Sequence, residues 1–209
     1  MHHKCGNRAP FCRPACTISA VYVHRFRRRI HAIMKIFGYN DAPRFTAFLA
    51  ALSPQTSVEN NLINALKSWN AWVKAGRPTN EAAILKILGE NVQGDKGEKS
   101  VLDAWKNNTY RALTSDDPIK TVLSGPKVNS FMQNLLGNMQ EVTNDTWVAI
   151  YLAWEQSLFG GKINASGTEP GKSPGYLAVN AKFREAADIL TKRTGQKWEP
   201  AEVQETIWS

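Results

Sequence analysis

The sequence predicts an all-α protein, and three observations carry that expectation. Apolar residues recur at helical spacing through most of the chain beyond residue 34. No alternating strand pattern persists beyond a few residues. Gly, Pro, Asn and Asp fall between the periodic segments, where helices need caps and turns. At 209 residues, 43% apolar and 21% charged, the chain is long and apolar enough for one ordinary domain with an arm. Its longest apolar runs, such as Val148 to Trp154, are far too short to span a bilayer. Collagen-like and wholly disordered chains are also excluded.

The elements follow in order. Residues 1–18, with Gly6, Pro10 and Pro14, read as disordered. Val21 to Phe37 mixes basic and apolar residues. It reads as a basic helix, either touching an anionic surface or simply solvated. Met34 opens the first globular-looking segment, so the expected division is an arm over 1–33 and a helical domain over 34–209. Phe45 to Leu52 is Ala-rich and apolar. Ser57 to Ala75 carries Val58, Leu62, Ala65, Leu66, Trp69 and Val73 on one predicted face and ends at Gly76-Arg77-Pro78. Glu81 to Leu88 follows the cap candidates Thr79 and Asn80. A polar loop over 89–99 leads to a helix from Val101 to Leu113. Thr114 to Pro118 reads as the capped start of a short helix ending at Leu123, and Ser124-Gly125-Pro126 as a tight turn. Val128 to Leu136, Asp145 to Leu158, Leu177 to Thr194 and Pro200 to Trp208 are the remaining helices, with a Gly/Pro/Ser loop over 160–175.

Charge and chemistry are distributed unevenly. The net charge is +8, yet residues 1–40 hold eight Lys or Arg and no acid, leaving 18 basic against 18 acidic residues in 41–209. The excess therefore belongs to the arm, and it points to a polyanionic partner. Cys5, Cys12, Cys16 and all four His also lie there, at a spacing that fits no zinc motif. The arm lacks the apolar run of a secretory signal, so a cytoplasmic protein without a membrane partner is expected. With no His or Cys in the body, its chemistry is confined to carboxylates, Lys, Tyr and hydroxyls.

Three local signals occur in one order. Leu52-Ser53-Pro54-Gln55 joins an apolar helix to a capped one. Leu123-Ser124-Gly125-Pro126-Lys127-Val128-Asn129-Ser130 reads as helix, glycine turn, helix, an arrangement that leaves backbone N–H groups free for a phosphate. Asn144-Asp145-Thr146 opens the most apolar helix, with Asp145 as a helix cap or as a carboxylate held at a helix start. Each alone has an ordinary structural explanation.

Together, over roughly residues 45–155, these segments resemble the helix–hairpin–helix DNA glycosylase superfamily, of which endonuclease III is a member. Leu52-Ser53-Pro54-Gln55 is similar to the family's Leu-Ser-x-Gln segment, Gly125-Pro126-Lys127 to the end of its Leu-Pro-Gly-Val-Gly-x-Lys hairpin, and Asn144-Asp145-Thr146 to its Val-Asp-Thr. Asp145 follows Lys127 by 18 residues, as in the family. The hairpin departs from the pattern, because Leu123 stands where the family has its first Gly. The family's C-terminal cysteine cluster is missing, so neither an iron–sulfur cluster nor any other cofactor or metal is expected.

The resemblance implies a helix–hairpin–helix bundle of about eight to ten helices acting as a monomer on double-stranded DNA. The target nucleotide is flipped out, and Gln55 fills the gap. Asp145 stabilises the oxocarbenium-like sugar as the C1′–N bond breaks. The backbone around Gly125, with Ser53, Lys127, Val128 and Ser130, contacts DNA. Lys127 leaves two chemistries open: a Schiff base with strand nicking, or hydrolysis to an abasic site, the preferred expectation. One theme of similar glycosylases is excision of a modified cytosine, such as glucosylated hydroxymethylcytosine, from phage DNA in anti-phage defence. The rival is a non-catalytic helix–hairpin–helix DNA-binding module.

Overall fold

The structure is a computed structural model that describes residues 16–98, 100–159 and 171–208, with side chains for 32–98, 100–159 and 171–207. The described residues form eight α-helices and two 3-10 turns, with no strand among them. The helices are α1 (Cys16–Ala51), α2 (Val58–Lys74), α3 (Glu81–Asn91), α4 (Asp103–Thr114), α5 (Pro126–Leu135), α6 (Thr146–Tyr151), α7 (Pro174–Thr194) and α8 (Pro200–Trp208). The all-α expectation holds. The tail before Cys16, with Cys5 and Cys12, and the loop over 160–170 lie outside the described residues.

Gly38, at φ 72° and ψ 171°, breaks α1 into two helical stretches. Packing of the body begins just before this kink. Phe37 stacks on Phe45 at 3.9 Å and meets Trp69 edge-on at 5.7 Å. The stretch after the kink is the most buried in the molecule: Phe45, Ala47, Phe48, Ala50, Ala51 and Leu52 are all sealed from solvent. It packs on α2, α4 and α5. Arg44 reaches across to α4, donating to the carbonyls of Leu113 at 2.6 Å and Ser115 at 2.8 Å, which closes that helix's C-terminus.

Two apolar cores result. One joins the second half of α1 to α2, α3, α4 and α5. The other joins α6, α7 and α8 around Val142 and Tyr176. Between them runs a polar seam, where Ser130 and Asn134 of α5 face the extended residues 141–144.

Three expectations are corrected. Of the predicted apolar face of the second helix, only Ala65 and Trp69 are buried. Val58 is 90% exposed, and Leu62, Leu66 and Val73 also face solvent, while Asn61, Asn64, Ser68 and Trp72 turn inward beside Ala65 and Trp69. The reason is polar: Asn64 exchanges hydrogen bonds with the backbone of Gln93, which ties α2 to the loop after α3. The short helix expected to end at Leu123 is a 3-10 turn over Pro118–Lys120, followed by extended backbone. Here the amides of Leu123 and Ser124 are taken by the side chains of Asn129 and Asn108, so no further helical turn forms. The helix expected over Asp145 to Leu158 stops at Tyr151, and Ala153 takes a left-handed φ of 54°. Trp147, Ile150, Tyr151 and Trp154 are consequently exposed rather than buried in the core.

Candidate active site

Asp145 is the N-cap of α6, with extended backbone at φ −129° and ψ −171°. Its carboxylate accepts from the amides of Trp147 at 3.0 Å and Val148 at 3.1 Å, and both bonds fall on Oδ1. Oδ2 has no hydrogen-bond partner among the described residues. Asp145 is half-buried, beside the exposed indole of Trp147. One oxygen is thus fixed by the helix, and the other is left without a partner among the described residues.

Residues 141–145 form an extended strap held by side chains from three helices. Asn134 of α5 donates to the Glu141 carbonyl at 2.8 Å. Gln204 of α8 takes the Thr143 amide at 2.9 Å and donates back to the Thr143 carbonyl. Tyr176 of α7 donates its hydroxyl to the Val142 carbonyl at 2.7 Å and accepts from the Asn144 amide at 3.2 Å. Asn144 in turn donates to Asn180 at 2.8 Å. A segment without ladder or helix cannot be buried unless its peptide groups find such partners.

Lys127 is the second residue of α5, which Gly125 enters at φ 90°, a conformation suited to glycine. The turn is clamped: Leu123 donates to Asn129 at 2.9 Å, and Asn108 bonds both the amide and the carbonyl of Ser124. The half-buried Lys127 has no hydrogen bond or ion pair with the described residues. Pro126 has no N–H, so the amides of Lys127 and Val128 are those the first turn leaves without an intrahelical acceptor.

Ser130, one helical turn beyond Lys127, is fully buried and donates to Glu141 Oε2 at 2.8 Å. The same oxygen receives Lys172 Nζ at 2.8 Å, and that ammonium lies 5.8 Å from the centre of the Tyr176 ring. The Tyr176 hydroxyl also feels the charges of both Glu141 and Asp145. Burial, above all, pushes the Tyr176 phenol well above its ordinary range and keeps it a proton donor. Ser130 and Val128 are buried, so contacts with an external ligand there fall to the backbone of α5.

Gln55 lies at the corner between α1 and α2. It is exposed and adopts φ 55°, unusual for a residue with a Cβ. The corner is stiff. Trp105 Nε1 donates to the Pro54 carbonyl at 2.9 Å, Ser53 N–H bonds back to Ala50, and Asp95 grips the Ser57 amide and hydroxyl. Those bonds, with Asn60, hold the Asp95 carboxyl below its ordinary range. Ser53 is half-buried, and its hydroxyl has no partner among the described residues.

The structure brings Asp145 and the Lys127 helix to one polar cluster. Sequence reasoning did not single out Glu141, Lys172, Tyr176, Asn180 or Gln204. Only their unusual burial as polar groups marks them, and that is invisible without the fold.

The described residues thus define an all-helical protein with a carboxylate and a lysine helix gathered at a polar seam. The chain belongs to the family of unknown function DUF7178, which matches residues 38–209. That match begins at the kink residue Gly38. No curated protein and no solved structure matches the chain. Among the described residues, no helix is long and apolar enough to cross a membrane.

Proposed function

We propose that the protein is a DNA N-glycosylase of helix–hairpin–helix type, which flips a modified or damaged nucleotide from duplex DNA and leaves an abasic site. The observation that carries the reading is Asp145 Oδ2, unbonded among the described residues, on a strap anchored to the helix that bears Lys127. As the C1′–N bond lengthens, positive charge grows on the sugar, and Oδ2 stabilises it. Water adds to C1′ and loses its proton to the carboxylate, and the base departs with the bonding pair and takes a proton from solvent water. No histidine takes part. The free amides of Lys127 and Val128 suit a DNA phosphate, and Gln55, on its stiff corner, suits the gap left by the flipped nucleotide. The exposed Trp147, two residues from the carboxylate, offers a stacking face for a base. A bulky modified cytosine in phage DNA, such as glucosylated hydroxymethylcytosine, is the substrate class we favour.

One observation favours the second reading, a non-catalytic DNA-binding module: the two amide bonds to Asp145 are those of an ordinary helix cap. Alkali treatment of DNA incubated with the protein separates the two. The glycosylase leaves alkali-labile breaks that Asp145→Asn abolishes, whereas no breakage above background from either protein supports the module.

A further inference from the structure

Tyr176 has no part in the chemistry just described, yet its side chain holds two peptide groups of the strap that ends at Asp145. It is fully buried in the first turn of α7, and its amide is capped by Ser173 at 3.1 Å. Phe159 meets its ring edge-on at 6.3 Å. Its hydroxyl bridges two successive peptide units of the strap, Val142 C=O and Asn144 N–H. Its own carbonyl accepts from the Asn144 side chain at 3.3 Å. The strap it holds is tied in turn to α5, the helix that carries Lys127, through Asn134.

We propose that Tyr176 is a positioning residue, whose hydroxyl fixes the course of the strap and so aims Asp145 Oδ2 relative to the Lys127 helix. The inference rests on the glycosylase reading and adds the part played by α7. Asn144 immediately precedes Asp145; without the hydroxyl its amide keeps only a 3.2 Å bond to the Val142 carbonyl, itself then unanchored, which gives the cap residue room to rotate. The Oδ1 bonds to Trp147 and Val148 still hold α6, but they do not fix where Oδ2 points. Electrostatic stabilisation of a developing charge is sensitive to that direction, and misplacement by about 1 Å costs roughly 10²-fold in rate.

The experiment compares Tyr176→Phe with Val179→Ala, a buried change on the same helix that touches none of these hydrogen bonds. Three quantities are measured on each full-length protein: hydrogen–deuterium exchange over 141–148, affinity for a duplex carrying a tetrahydrofuran abasic analogue, and single-turnover base release. In Tyr176→Phe, exchange should rise in the strap ahead of α5, base release should fall about 10²-fold, and analogue affinity should hold. Val179→Ala should lose stability and keep its rate. The inference is overturned if Tyr176→Phe leaves strap exchange unchanged, or loosens the strap at full rate. It is equally overturned if both variants lose rate in step with stability. A wild-type protein that releases no base counts against the glycosylase reading instead. The exchange comparison then still decides whether Tyr176 anchors the strap.

Discussion

The hydroxyl of Tyr176 donates a 2.7 Å hydrogen bond to the carbonyl of Val142, three residues before Asp145. That bond is available only while the phenol keeps its proton. Burial raises the proton affinity of Tyr176 in the folded state, whereas an unfolded chain ionises it near pH 10. The folded state therefore binds more protons above that pH, and stability falls as the pH rises. The contribution is complete below about pH 10 and is lost at about 1.4 kcal/mol per pH unit up to the folded value. Alkaline denaturation followed by circular dichroism should be steeper for the wild type than for Tyr176→Phe. Parallel curves would show that the phenol is not held as described.

Gln55 occupies a backbone conformation that glycine adopts without penalty. Gln55→Gly should therefore stabilise the fold by about 1 kcal/mol, seen as a higher Tm. The same substitution removes the side chain proposed to fill the duplex. Base release from duplex DNA should fall, while release from single-stranded DNA, where no gap opens, should not. A loss of both together would deny Gln55 that role.

Seven of the eight basic residues in 1–40 lie within 1–33. A protein beginning at Met34 keeps Phe37 and its stacking on Phe45 and loses only Ile33 from the edge of the core, so its Tm should fall only slightly. Its DNA affinity should fall, and the dependence of log K on log salt should flatten by roughly 0.9 for each phosphate that the arm neutralises. An unchanged slope would exclude the arm from the DNA interface.

Lys127 has no protein partner among the described residues and starts one turn ahead of Ser130. If it attacks C1′, borohydride traps a covalent protein–DNA adduct that Lys127→Ala does not form. We expect no adduct and an intact strand before alkali, in keeping with hydrolysis to an abasic site. A trapped adduct would assign lyase chemistry to this residue.

Much of the helix order was legible because caps and breakers are local. Asn80 accepts from the Ala83 amide as a cap should, and α8 runs from Pro200 to Trp208 as its pattern indicates. The cap role of Asp145 was legible for the same reason. What was not legible depends on partners distant in sequence. Asn64 faces inward because Gln93 is there, which turns Val58 and Leu62 outward. The hairpin's first helix shrinks because Asn108 and Asn129 take its amides. Ala153 ends the apolar run beyond Tyr151 with neither Gly nor Pro to announce it. At the candidate site, Tyr176 and Gln204 follow the strap by tens of residues, and no spacing rule links them to Asp145.

The central claim is that Asp145 performs chemistry in addition to capping α6. Asn caps a helix about as well as Asp, so Asp145→Asn should preserve stability to within a few tenths of a kcal/mol, while Asp145→Ala should cost about 1 kcal/mol. The decisive measurement is free base released from modified phage DNA, quantified by mass spectrometry for the wild type and Asp145→Asn side by side. Release by the wild type, reduced at least about 10²-fold in the variant at equal Tm, is the expected result. Equal release from both, or none from either across modified and damaged substrates, would contradict it.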